Sequence, residues 1–112
     1  MIEIKELKKI YNSGENEVRA LDGVTETIND GEIVAVIGKS GSGKTTLLNM
    51  LGGMDVPTSG EILIDGANIV SYKEKALSEY RLHKIGFIFQ FFHLIPTLTV
   101  RENIMLPMII AE

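Results

Sequence analysis

Residues 38–45 read Gly-Lys-Ser-Gly-Ser-Gly-Lys-Thr and fit G-x-x-x-x-G-K-[ST], with Gly38, Gly43, Lys44 and Thr45 at the fixed positions. The spacing has a physical meaning. A polyphosphate concentrates negative charge, and a loop cradles it when successive backbone N–H groups turn inward, a shape that favours glycine. Gly41 and the hydroxyls of Ser40 and Ser42 fit the same cradle. Lys44 is expected to place an ammonium on the β- and γ-phosphates, and Thr45 a hydroxyl on a bridging Mg²⁺ ion. A helix opening here turns its N-terminal dipole and free N–H groups to the anion.

The flanks agree with that reading. Ile33-Val34-Ala35-Val36-Ile37 is a continuous, mostly β-branched run and predicts a parallel strand buried on both faces. Thr45 to Leu51 predicts a helix with Leu47, Leu48 and Leu51 on one stripe, stopped by Gly52-Gly53. Strand, glycine-rich loop and helix follow in the order the chemistry needs.

Working outward, residues 1–10 predict a strand with Ile2 and Ile4 on one face, and a second strand is expected from about Val18 to Ile28. Between them Asn12-Ser13-Gly14-Glu15-Asn16 reads as a turn. Asn29-Asp30-Gly31 is a tight turn into the 33–37 run, and Asp65-Gly66 is a hairpin signal. Residues 74–83 predict a helix, and Ile85-Gly86-Phe87-Ile88-Phe89 a second buried strand. Thr99-x-x-Glu102 is a capping box opening a last helix, which Pro107 is expected to break or kink. The fold class is α/β: a P-loop NTPase core with an antiparallel β-subdomain, residues 1–112 being expected as an incomplete part of a single domain with no second one.

Composition excludes several functions. The chain has 112 residues and a net charge of −4, which argues against an electrostatic nucleic-acid partner. It has no cysteine, so disulfides and thiolate metal sites are out. No apolar stretch approaches the ~20 residues of a membrane span, and the charged start is unlike a secretory signal. His83 and His93 have no partner at ligand spacing, and Met50, Met54, Met105 and Met108 read as core or contact residues.

Four segments carry a resemblance: Val18 to Val24, Gly38 to Thr46, Pro57-Thr58-Ser59-Gly60-Glu61-Ile62, and Ile85 to Gln90, extended by Leu94 to Ile104. On these the chain resembles the N-terminal half of an ABC-type ATP-binding domain. It is most similar to the branch serving lipoprotein-release, macrolide-export and related permeases. The resemblance implies ATP and Mg²⁺ as ligands. It implies that Tyr11 stacks on adenine, worth about 1 kcal/mol, and that Val18 packs on another part of the base. Thr46 is implied at the α-phosphate. Gln90 matches a glutamine that contacts Mg²⁺ or the attacking water, so that Gln90 and Lys44 are the implied catalytic residues. The apolar segment Phe91-Phe92-His93-Leu94-Ile95-Pro96 is implied to receive a membrane permease subunit, with the chain cytoplasmic and peripheral to the membrane. A second ATP-binding subunit is the other implied partner.

The same resemblance implies motifs this sequence lacks: an LSGGQ-like signature, an apolar strand ending in Asp-Glu, and a later switch histidine. In such domains the strands bearing the last two lie between those at 33–37 and 85–89. The expectation is therefore a truncated gene product with two unpaired apolar strands, inactive in hydrolysis by itself. Two other readings stand beside the transporter one: a non-transport ATPase of the same class, and an inactive nucleotide-binding fragment that self-associates.

Overall fold

The structure is a computed structural model describing residues 1–12, 14–91 and 93–111. Ser13 of the expected 12–16 turn and Phe92 of the apolar segment lie outside the described residues. Strand β1 (Ile2–Tyr11) pairs antiparallel with β2 (Val18–Ile28) on one edge and with β3 (Ser59–Ile64) on the other. A two-residue strand β4 (Ala67–Asn68) closes the order β2-β1-β3-β4. Asp65-Gly66 makes the hairpin between β3 and β4, both residues at positive φ as a two-residue turn requires.

The alternation in β1 does not run unbroken. Ile4 and Leu7 are both buried, three residues apart rather than two. The register slips between them on both edges, and Glu6 between them has φ 48°. This bulge returns Leu7 to the inward face. The Glu6 N–H donates to Thr25 Oγ1 at 3.0 Å, and the Thr25 hydroxyl donates to Glu6 Oε1 at 3.2 Å. Across the other edge Gly60 (φ 96°) lies so close that a Cβ there would stand 2.4 Å from the Glu6 carbonyl oxygen. Only glycine lets β3 pass the bulge at this distance.

Helix α1 (Lys44–Leu51) and helix α2 (Glu74–Lys84) complete the core with the sheet. Ile4, Leu7, Leu21, Met50, Ile62, Ile69 and Tyr80 form one buried cluster. Leu7, Met50 and Ile62 are its deepest side chains, each contributing about 1.5–3 kcal/mol of apolar burial. Met50 takes the place expected for the leucine stripe; Leu47 and Leu51 pack beside the cluster, and Leu48 is exposed. Of the other methionines, Met54, Met105 and Met108 are exposed.

Helix α3 (Val100–Ala111) opens with the expected capping box: Glu102 N–H donates to Thr99 Oγ1 at 3.1 Å, and Thr99 N–H to Glu102 Oε1 at 2.9 Å. Pro107 does not end it; the helix continues to Ala111. Proline's fixed φ is helical, so the ring removes one donor without stopping the chain at that point.

The two apolar runs depart most from expectation. Neither 33–37 nor 85–89 forms a strand, and neither is buried as predicted; Ile37 is 88% and Ile88 96% exposed. A buried parallel strand needs ladder partners at its edges and cover on both faces. Among the described residues neither run has such partners. Phe87 leans on Gly52, with ring carbons 3.1 Å from where a Cβ would stand. Phe89 lies between Phe87 (centroids 4.6 Å apart) and the stacked His93 (4.2 Å). Among the described residues no helix is long and apolar enough to cross a membrane.

Candidate functional site

The loop at 38–43 is built against β2. Ser42 N–H donates to the Lys39 carbonyl at 3.1 Å, and Leu47 N–H to the Gly43 carbonyl at 2.9 Å, which starts α1. Gly43 has φ 97°, and a Cβ there would meet the Ala20 carbonyl oxygen at 2.4 Å. The loop therefore rests on β2 at Ala20 because this residue carries no side chain. A Cβ at Gly38 would meet Ser42 Oγ at 2.5 Å, so the loop closes tightly on itself.

Lys44 spans the mouth of this loop. Its ammonium donates to the Gly38 carbonyl and to the Lys39 carbonyl at 2.9 Å. It stands at the positive end of α1, whose first turn has neither an acidic residue nor a side-chain cap. Cation, helix N-terminus and hydroxyls converge, which is the electrostatic profile of an anion site.

The loop forms one wall of a cleft of about 440 Å³. Val18, Arg19 and Ala20 supply the β2 wall, and Ser40 to Thr46 the loop and first helical turn. The remaining wall is Gln90, far along the chain. The structure thus brings Val18, Ser40, Gly41, Ser42, Gly43, Lys44, Thr45, Thr46 and Gln90 together. Gly38 stands behind the lining as an acceptor for Lys44. Tyr11 is not on the wall. It pairs with Val18 across β1–β2, its hydroxyl donates to Asp55 Oδ2 at 3.4 Å, and the Lys9 ammonium sits 5.1 Å from its ring centroid.

Sequence reasoning did not single out Arg19 or Ala20. Their sequence signal was their place next to Val18, within the matched segment Val18 to Val24; that β2 faces the loop follows from the contact at Gly43. Arg19 donates to Glu17 at 2.7 Å and to Asp22 at 3.4 Å, and Glu17 first, then Asp22, raises its pKa. A larger cleft of about 930 Å³ lies elsewhere, between the β3–β4 turn and α2, lined by Ile64, Tyr72 and Tyr80 among others. It lacks the glycine loop, although the start of α2 at Lys73 and Lys75 lines it, so size does not decide between the two.

Among the described residues no group of three or more His, Cys, Asp or Glu could hold a metal. His83 faces Glu79 at 3.1 Å, and His93 stacks on Phe89. Among the described residues, a divalent ion in the cleft would find neutral oxygens, the Thr45 hydroxyl and the Gln90 amide among them, a donor set that fits Mg²⁺ when phosphate oxygens complete its shell.

The sequence profile described as ABC transporter matches residues 21–112. The chain belongs to the ABC transporter family. Among family relatives, it is 44% identical to the lipoprotein-releasing system ATP-binding protein LolD of Geobacter metallireducens, over 99% of this chain and 49% of the relative. It is 45% identical to the macrolide export ATP-binding/permease protein MacB of Hyphomonas neptunium, over 99% of this chain and 17% of that protein. Among solved structures, the dimeric bacterial ABC transporter cassette MJ0796 superposes with a TM-score of 0.92 at 45% identity, covering the whole chain and 48% of the cassette. A post-hydrolysis form of that cassette bound to ADP and Pi gives the same TM-score at 44% identity. The chain spans about half the length of the lipoprotein-releasing ATP-binding proteins it matches. Its fold is that of the N-terminal part of the ABC cassette, with the antiparallel sheet and helices of a P-loop NTPase.

Proposed function

We propose that the cleft between the phosphate loop and Gln90 binds Mg-ATP, and that this chain is the nucleotide-binding portion of a transporter's ATP-binding subunit. One observation carries the proposal: Gln90 lines the same cleft as Lys44 and Thr45. Loop N–H groups and the α1 N-terminus would hold the phosphates, with Ser40, Ser42 and Thr46 as further donors. Lys44 would exchange the carbonyls of Gly38 and Lys39 for phosphate oxygens. Thr45 and Gln90 would hold Mg²⁺, whose charge offsets that of the β- and γ-phosphates. Val18 would meet the base from the cleft wall. Tyr11, adjacent in register, would stack on the part of the base that extends past β2.

No described residue supplies a general base beside Gln90. Hydrolysis is therefore proposed for the parent domain, and the 112-residue chain alone binds without turnover. Titration with a fluorescent ATP analogue tests the binding: Lys44→Ala should weaken affinity by tenfold or more, as loss of a charged contact of about 1.5–3 kcal/mol implies. Wild-type affinity in Lys44→Ala would sink the site, and Lys44-dependent turnover by the pure chain would sink the proposed inactivity.

Coupling is proposed through the segment after Gln90, where Phe91, Leu94 and Ile95 are exposed. A membrane permease at the cytoplasmic face is the partner this supports, together with a second ATP-binding subunit. The transporter names of the relatives and the dimeric cassette support both. A non-transport ATPase draws no support from those names. Co-purification of a permease that Phe91→Asp and Leu94→Asp abolish would be the expected result.

A further inference from the structure

Three contacts grip the C-terminal end of α1, and all come from the segment that delivers Gln90. The Tyr80 hydroxyl donates to the Leu51 carbonyl at 2.6 Å. Arg81 Nη1 donates to the Gly53 carbonyl at 2.6 Å, while its Nη2 holds Glu74 and Ser78. The Phe87 ring lies against Gly52. These carbonyls end α1, where helix termini leave acceptors unpaired and where a cation meets the negative end of the dipole. Lys44 opens the same helix in the cleft. Three residues beyond Phe87 the chain reaches Gln90, which lines that cleft. The run between them is in no sheet; Ile88 is exposed and Phe89 is half-buried against Phe87 and His93.

From this arrangement we infer that Tyr80, Arg81 and Phe87 form a clamp on the α1 C-terminus that sets the position of Gln90 relative to Lys44 and Thr45. They are positioning residues; none lines the cleft. Helix α1 acts as the ruler, with phosphate donors at one end and the clamp at the other. Release of the clamp frees the segment after Ile85, which stays packed on the core, while leaving the loop on β2 at Ala20 intact. The ligand consequence rests on the nucleotide reading above; the geometric consequence does not.

The absence of cysteine permits a direct test. Spin labels at Ser40→Cys and Gln90→Cys report the width of the cleft. A narrow distance distribution is expected, broadened by Arg81→Ala and by Tyr80→Phe and restored by Arg81→Lys. An unchanged distribution in both clamp variants overturns the inference, whatever the chain binds. Tyr80→Phe removes only a hydroxyl, so it keeps the test valid if Arg81→Ala loses its far-UV circular dichroism. In chains with Gln90 intact, Arg81→Ala should weaken Mg-ATP binding about three- to tenfold, with little effect on Mg-ADP, and add nothing in a Gln90→Ala background. Equal losses for both nucleotides, or losses that multiply with Gln90→Ala, also overturn it. A wild-type chain that binds no nucleotide refutes the nucleotide reading, and the label distances then decide the clamp alone.

Discussion

Replacing Gly43 with alanine separates two demands that coincide in the phosphate loop. The first is conformational: φ 97° is disfavoured for any residue with a Cβ, at about 1–2 kcal/mol. The second is contact: the new methyl would stand 2.4 Å from the Ala20 carbonyl oxygen and 3.3 Å from Leu21 Cδ2. The oxygen belongs to β2 backbone held on either side by the paired Arg19 and Leu21, so the loop must lift from β2, at about 1–3 kcal/mol more. Gly41 provides the control. Its φ is 81°, but a Cβ there meets nothing within 4 Å. Gly41→Ala should therefore cost only the conformational part, about 1–2 kcal/mol, and Gly43→Ala about 2–5 kcal/mol in all. Urea unfolding followed by far-UV circular dichroism measures both, as midpoint shifts at unchanged slope. Equal shifts for the two variants would refute the claim that close approach to Ala20 fixes the loop.

Further outcomes follow from the buried phenol, the helix cap and the core. Burial first, with Tyr72 second, pushes the Tyr80 phenol up to about 12. Its contribution to stability is complete below the ordinary phenol value of about 10 and is lost as pH rises toward 12. Stability curves between those limits should fall for the wild type and flatten in Tyr80→Phe. The backbone N–H of Thr99, then its hydroxyl, holds the Glu102 carboxyl below its usual value. The cap is thus complete above the usual glutamate range and is lost as pH falls through the lowered value. Helical circular dichroism should drop on acidification, and Glu102→Gln should abolish that pH dependence. Ile62→Ala, at a fully buried position, should destabilise the chain by about 2–5 kcal/mol in denaturant unfolding; a loss below about 1 kcal/mol would contradict the core assignment.

Much of the fold was legible because its signals are local. Val18–Ile28 is the expected second strand, Asp65-Gly66 is the hairpin turn, and Thr99 and Glu102 cap each other. Each depends on residues within a few positions. The bulge at Glu6 was not legible, because it is stabilised across strands by Thr25 and by the space at Gly60. Met50 rather than Leu48 is buried because the α1 face toward the core depends on how the loop sits on β2. The apolar composition of 33–37 is that of a buried strand, yet burial requires neighbours that sequence composition alone does not supply.

The octet from Gly38 to Thr45 by itself gave the proposal of where a phosphate is held and by which cation, since those demands are met by glycine, lysine and hydroxyl at fixed spacing. Only the tertiary structure decided what faces that loop. Gln90 and the β2 residues from Val18 to Ala20 reach the cleft by chain paths that no local rule encodes. Tyr11, by the same geometry, is one strand removed from the wall. The division has a physical cause: loop and helix-start geometry is set by short-range sterics and hydrogen bonds, while the walls of a cleft are set by packing between distant segments.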